Sequence, residues 1–269
     1  MLLNEIPILS EHPEVLLLID EVRIRIQKTL GEKLVGLYLY GSLVAGDFDY
    51  ELSDIDLLAA TATAIKPNEL ERLKTMHAEI KKANPQWNNR IETAYVSLAA
   101  LQTFKSKKSR IANISPGEPL HFLDAGHDWL LNWYFVRDCG ITVLGEPPET
   151  IIAPVSKKEF IEAVREQARE RAENIENAKF SRPFQAYLIM TFCRALYAVE
   201  TGEQASKKHA ASWVKNRFPE YAGLIENAFK WREQRRNKNI NHEETFPETK
   251  EFVSRIANLI KNRVPVVSI

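Results

Sequence analysis

The stretch Val35-Gly36-Leu37-Tyr38-Leu39-Tyr40-Gly41-Ser42-Leu43-Val44-Ala45-Gly46-Asp47, followed shortly by Ser53-Asp54-Ile55-Asp56-Leu57-Leu58, decides how this chain is read. Both outer pieces have the character of strands. Side chains two apart on a strand leave from one face, so Asp54 and Asp56 point the same way. Leu57, Leu58, Ala59 and Ala60 continue as an apolar run suited to a buried strand, which leaves the two carboxylates at its wet end. Two like charges held that close raise one pKa if unpaired, and a divalent cation such as Mg²⁺ removes the conflict. Upstream, Gly41 lets the backbone turn tightly. Ser42 then offers a hydroxyl and backbone N–H groups to a polyphosphate at the start of a short helix.

Taken singly, Gly-Ser is an ordinary turn and Asp-x-Asp a solvated strand end. In the order strand, Gly-Ser turn, short helix, Asp-x-Asp strand, they resemble the DNA polymerase β-like nucleotidyltransferase superfamily. There the Gly-Ser turn holds the nucleotide phosphates and the two acids hold Mg²⁺. That resemblance implies a third carboxylate on a neighbouring strand, serving as metal ligand or as general base. The segment Asn89-Arg90-Ile91-Glu92-Thr93-Ala94-Tyr95-Val96 supplies Glu92, on a short strand after a helix over 67–83. The plain alternative is a surface glutamate on an edge strand; its place in the order favours the site. Ser53, beside Asp54, joins Gly41 and Ser42 as a candidate nucleotide-binding residue.

The charge balance limits the partners. The 269 residues carry 36 Lys plus Arg against 36 Asp plus Glu, so the broad basic field of a nucleic-acid binder is absent. A small acceptor is favoured over a long polyanion, and a monomer or weak dimer is expected. Glu5, Glu11 and Glu14 interrupt the apolar residues near the N-terminus, which is wrong for a signal peptide, and no apolar run approaches spanning length. A cytoplasmic location, where ATP is, is expected. Cys139 and Cys193 are far apart, without metal-ligand spacing, and read as buried thiols.

Glu146-Pro147-Pro148-Glu149-Thr150 is the clearest breaker in the chain. It divides a catalytic region over 1–150, alternating strands and helices after an opening helix over 12–30, from a helical region over 151–269. Capping residues and prolines place helices over 157–178, 183–202, 206–218, 219–236 and 247–263. The expected class is α+β: a nucleotidyltransferase-fold mixed sheet with helices, followed by an all-α bundle. This division narrows the resemblance to the aminoglycoside adenylyltransferases that modify streptomycin and spectinomycin. The segments Thr191-Phe192-Cys193-Arg194-Ala195-Leu196-Tyr197, Thr201-Gly202-Glu203-Gln204-Ala205-Ser206-Lys207-Lys208-His209-Ala210-Ala211-Ser212-Trp213, and His127-Asp128 with Ile141-Thr142-Val143-Leu144-Gly145 are similar to family stretches.

The resemblance implies that Asp128, Arg194 and Lys207 help hold ATP, with Trp231 flanking the nucleotide. Each has a plainer reading. Asp128 suits a helix N-terminus, Arg194 sits among apolar residues on an expected buried face, Lys207 opens a helix against the dipole, and Trp231 suits packing. Implied too is Mg-dependent transfer of AMP from ATP to a hydroxyl of a small molecule, either an aminoglycoside, as in an antibiotic-resistance enzyme, or another small hydroxylated metabolite. Two departures argue against streptomycin: Phe184 stands where the antibiotic-modifying relatives carry a carboxylate, and their tryptophan before His-Asp has no counterpart in Ser115-Pro116-Gly117-Glu118-Pro119-Leu120-His121-Phe122. Glu118, Asp124, Trp129 and Trp133 form either a substitute pocket or, for the tryptophans, core. A second reading is a toxin–antitoxin nucleotidyltransferase acting on protein or RNA, suggested by the Arg236 to His242 spacing. A third, an ATP sensor without turnover, conflicts with the intact set Asp54, Asp56 and Glu92.

Overall fold

The computed structural model describes residues 9, 11–233 and 241–263. The chain divides into two compact units, Met1–Val155 and Ser156–Ile269, which are described in turn.

In the first unit, α1 (Pro13–Leu30) leads into β1 (Leu34–Tyr40), and β2 (Ile55–Thr61) follows after a turn and loop. Then come α2 (Pro67–Ala83), β3 (Ile91–Ser97), α3 (Leu98–Thr103), β4 (Ser109–Ser115), β5 (Glu118–Ala125), α4 (Leu130–Cys139), β6 (Ile141–Leu144) and the single turn α5 (Pro148–Ile151). The strands form one mixed sheet in the order β5-β4-β3-β2-β1-β6. Among the described residues only β2 and β3 are parallel, and α2 makes their crossover; the other pairings are antiparallel.

Alternation along the strands sorts the sheet into two faces. Leu37, Leu39, Ile55, Leu57, Ala59, Tyr95 and Ala112 share one buried cluster with Val15, Ile19, Val22 and Ile26 of α1 and Leu73 and Ile80 of α2. Burying a side chain of this size contributes about 1.5–3 kcal/mol, so this packing anchors the central strands. Tyr38, Tyr40, Asp56, Leu58, Glu92 and Ala94 alternate onto the opposite face, where Phe135 of α4 meets Tyr40 with ring centroids 6.5 Å apart. Polar groups at the β2 and β3 entrances therefore belong to the face away from the main core.

Three expectations change in this unit. No helix follows Gly41-Ser42: residues 41–46 form a turn in which Ala45 N–H donates to the Gly41 carbonyl and Asp47 N–H to the Ser42 carbonyl, both at 3.0 Å. Gly41 (φ +75) and Gly46 (φ +68) bracket it in the left-handed region and end the helical path after one turn. The alternation of strands and helices breaks at the β4–β5 hairpin, whose Pro116-Gly117 corner has Gly117 at φ +85. That is the geometry of a type II turn, with proline first and glycine second. Cys139 is half-buried rather than buried; Cys193, in the second unit, is buried as expected.

The second unit is all helical: α6 (Lys157–Glu173), α7 (Arg182–Thr201), α8 (Lys207–Arg217), α9 (Ala222–Glu233) and α10 (Phe246–Asn262). Helix α7 buries Leu188, Ile189, Phe192, Cys193, Leu196 and Val199. Its start is capped by the Ser181 hydroxyl, and it ends at Gly202 in the left-handed conformation. Ser156 and Glu159 form a capping box on α6, and the Ser206 hydroxyl caps α8. The 157–178 helix stops at Glu173, with a tighter turn over Ile175–Ala178. Likewise 219–233 is a tight turn over Pro219–Tyr221 and then α9, and the expected end at 236 lies outside the described residues. Among the described residues no helix is long and apolar enough to cross a membrane.

Candidate active site

The strand register builds a rank of three side chains. Tyr40 on β1 pairs with Asp56 on β2, and Asp56 pairs with Glu92 on β3. Register partners leave a sheet on one side, and neighbouring strands lie about 4.8 Å apart. Asp54 precedes Asp56 by two residues and joins the same side. All three acids are half-buried. Glu92 is on an interior strand between β2 and β4, so it is no edge-strand surface residue.

Gly41 is required by this rank. A Cβ built on it would overlap the Asp56 carboxylate, and its φ of +75 disfavours any other residue. The turn thus lies directly against the second acid of Asp-x-Asp. Ser42 is half-buried at its start. Ser53 is buried, at 7% exposure, and its Oγ accepts the Asp49 N–H at 2.9 Å. It closes the loop ahead of Asp54.

Electrostatics separate the acids. Burial pushes the Glu92 carboxyl up to about 7, the charges of Asp54 and Glu118 push the same way, and a hydrogen bond from Ser115 opposes them. Ser115 is itself held by Asn113, whose Nδ2 donates to its Oγ at 2.7 Å. The hairpin therefore orients Glu92 through a two-residue polar line. Among the described residues, no group of three or more His, Cys, Asp or Glu converges to hold a metal ion. The donor set still fits Mg²⁺: that ion is commonly held by one or two carboxylates with substrate phosphates and water completing its octahedron, and the Asp54–Glu92 repulsion is what a cation relieves.

One contributor was missed in the sequence. Arg90 donates from Nε to the Ser53 carbonyl at 3.0 Å, and from NH2 to the Ser53 and Tyr50 carbonyls, while its guanidinium lies 4.3 Å from the Trp87 ring centroid. Burial lowers its pKa although the charges of Asp54 and Glu51 raise it. The fork pins the backbone that carries Asp54. Arginine immediately before a strand gives no pattern by which its carbonyl partners could be foreseen.

The remaining candidates are less gathered. Asp128 is exposed, and its carboxylate accepts the Gly126 N–H at 2.9 Å, a local turn bond. Trp133 is core, 1% exposed, stacked with the half-buried Trp129. Glu118 and Asp124 are exposed on β5. In the helical unit Lys207 opens α8, half-buried, as expected. Arg194 corrects its expectation: it is exposed on α7 between buried Cys193 and Ala195, because each helical residue turns about 100° from the last and position 194 falls on the stripe of Tyr187 and Thr191. Trp231 is buried with the Arg182 guanidinium 5.5 Å from its centroid, in keeping with packing. His242 Nδ1 accepts the Arg182 N–H at 3.2 Å and its carbonyl accepts from Gln185 at 2.8 Å, so its ring and backbone brace the start of α7. Arg236 lies outside the described residues.

Comparison with known proteins bears on both units. Residues 150–259 match the family model described as aminoglycoside adenylyltransferase, C-terminal domain. Among solved structures, the spectinomycin adenyltransferase AAD(9) from Enterococcus faecialis, crystallised with ATP and spectinomycin, superposes with a TM-score of 0.69 at 18% identity, covering 91% of this chain and 98% of that one. At that identity the likeness establishes a shared fold, sheet and helical region together.

Proposed function

We propose that this chain, whose residues 150–259 match the aminoglycoside adenylyltransferase C-terminal domain, is a nucleotidyltransferase that transfers AMP from ATP to a hydroxyl of a spectinomycin-like acceptor. The carrying observation is the in-register rank of Asp56 and Glu92 with Gly41 against the Asp56 carboxylate.

In this reading the backbone N–H groups of the Gly41-Ser42 turn face the triphosphate, and Asp54 and Asp56 hold Mg²⁺. Bound there, the ion supplies charge neutralisation to the triphosphate and to the departing pyrophosphate. Glu92 takes the proton from the acceptor hydroxyl. That oxygen forms a bond to the α-phosphorus in line with the bond to the β-bridging oxygen, which breaks and releases pyrophosphate. A carboxyl raised to about 7 is suited to the base role, since proton transfer is most effective when the catalytic pKa lies near the working pH. Arg194 and Lys207 enter as the nucleotide-binding cations of the helical unit. Positioning and electrostatic stabilisation supply most of the acceleration in such chemistry. Spectinomycin is favoured over streptomycin because Phe184 offers no carboxylate to the guanidinium groups of streptomycin, and because the solved relative holds spectinomycin. The protein works in the cytoplasm, where ATP is available.

The test is a panel of spectinomycin, streptomycin and other hydroxylated metabolites incubated with ATP and Mg²⁺ and read by mass spectrometry. A product heavier by one AMP residue with spectinomycin, and none with streptomycin, is expected. AMP transfer to protein or RNA, with none to a small molecule, contradicts the reading and supports the toxin-type alternative.

A further inference from the structure

Two tyrosines leave the site face of β1, two residues apart, and the fold treats them differently. The Tyr38 hydroxyl donates to the Glu146 carbonyl at 2.7 Å. Tyr40 is 7% exposed, and its hydroxyl, shielded from solvent, has no hydrogen-bond partner among the described residues. Buried polar groups in folded proteins nearly always have partners, and one left without carries a desolvation cost. Tyr40 is also the residue immediately before Gly41 and the register partner of Asp56. Its unused hydroxyl therefore belongs to the rank of site residues and not to the apolar core on the other side of the sheet.

The chemistry of that hydroxyl is set by its surroundings. A phenol hydroxyl keeps its proton at neutral pH, so it acts as a donor. Both adjacent carboxylates are acceptors, yet the hydroxyl bonds to neither. What completes it is an anionic oxygen that arrives with a ligand at the Gly41 turn. Phe135 flanks the ring at 6.5 Å, and the strand fixes its root.

We propose that Tyr40 is a further nucleotide-binding residue, its hydroxyl donating a hydrogen bond to a phosphoryl oxygen of the triphosphate held at the Gly41-Ser42 turn beside Asp56. The inference rests on the nucleotidyl-transfer reading of that turn. It gives the turn a side-chain donor anchored in the sheet, in addition to the Ser42 hydroxyl and the backbone N–H groups. A donor held by a strand and screened from water loses little freedom on binding, and a hydrogen bond to a charged acceptor is stronger than one between neutral groups.

Tyr40→Phe removes one oxygen and keeps the ring. The measurement is calorimetric binding of an ATP analogue with a carbon bridge between the α- and β-phosphorus, which cannot be turned over, in the presence of Mg²⁺, together with the melting temperature of the ligand-free protein. Tyr40→Phe is expected to weaken analogue binding by about tenfold to a hundredfold, while ligand-free melting stays level or rises, since no partner within the fold is lost. Wild-type affinity in the variant overturns the Tyr40 assignment alone. A ligand-free variant that melts well below wild type overturns it as well, by showing that the hydroxyl has a partner inside the fold. A wild-type protein that does not bind the analogue overturns the nucleotide reading of the whole site and Tyr40 with it.

Discussion

Gly41 and Asp56 form one unit of structure although fifteen positions separate them, because the carboxylate occupies the space a side chain at 41 would need. Gly41→Ala should therefore displace Asp56 as well as strain a backbone at φ +75. A fall in activity of about a hundredfold or more and a stability loss of about 2 kcal/mol are expected, read by kinetics and by chemical denaturation. Glu92 makes a second residue-scale prediction. Its folded pKa of about 7 lies above the ordinary 4.5, so the folded protein holds that proton more tightly than the unfolded chain does. The associated stability is fully present below about pH 4.5 and is lost as pH rises through 7. In metal-free protein Glu92→Gln should abolish that loss, raising stability at pH 8 by on the order of 1–3 kcal/mol and changing little at pH 4, while transfer activity disappears. Equal melting of variant and wild type at pH 8 would contradict the burial account of Glu92. The acids were legible because a strand's period of two and the Gly-Ser turn are both local patterns. Tyr40 was not, since a tyrosine before a turn reads simply as a strand former, and its missing partner is a property of three dimensions. Arg194 was misread for the opposite reason: apolar neighbours in sequence do not share its direction on a helix.

At the scale of elements, the Gly41–Gly46 turn replaces the expected helix, so any phosphate contact there comes from a few N–H groups and not from a helix dipole. The loop after it is shaped by two devices. Asp49 accepts the Glu51 and Leu52 N–H groups, and Arg90 clamps the Tyr50 and Ser53 carbonyls from the start of β3. Arg90→Ala should release the backbone at Asp54 and cut kcat by about ten- to a hundredfold, and Arg90→Lys should fail to restore it, because an ammonium cannot reproduce the planar fork. Full activity in Arg90→Lys would show that only the charge near Asp54 matters. Helix boundaries were the most legible elements: proline at 67, serines at 156 and 206 and glycine at 202 mark ends that the structure places within a residue or two. The β4–β5 hairpin was overlooked although Pro116-Gly117 signals it, because its flanks mix polar and apolar residues without clean alternation. That omission hid Ser115, whose hydrogen bond orients Glu92.

For the whole molecule, a mixed-sheet unit and a helical unit correspond to a fold seen in an enzyme that was crystallised with ATP and spectinomycin. Clustered prolines and a change of hydrophobic period pointed to a division near residue 150, while the chain divides after Val155; the strand order could not be read, since nothing local says that β6 pairs with β1. Acceptor choice belongs to this scale. Phe184 stacks with Tyr187 at 5.8 Å, and Phe184→Asp should replace an apolar surface by a carboxylate that suits the guanidinium groups of streptomycin. Measurable AMP transfer to streptomycin in that variant, with weaker use of spectinomycin, is expected from a specificity assay; unchanged selectivity would place acceptor choice elsewhere. The central claim is that the Asp54, Asp56 and Glu92 carboxylates direct attack at the α-phosphorus of ATP. It is tested most directly by following ATP labelled separately at the α- and γ-phosphates. The account predicts that the α-label passes into the acceptor, the γ-label leaves as pyrophosphate, and Asp56→Asn stops both. Transfer of the γ-label to the acceptor, or release of ADP, would contradict it.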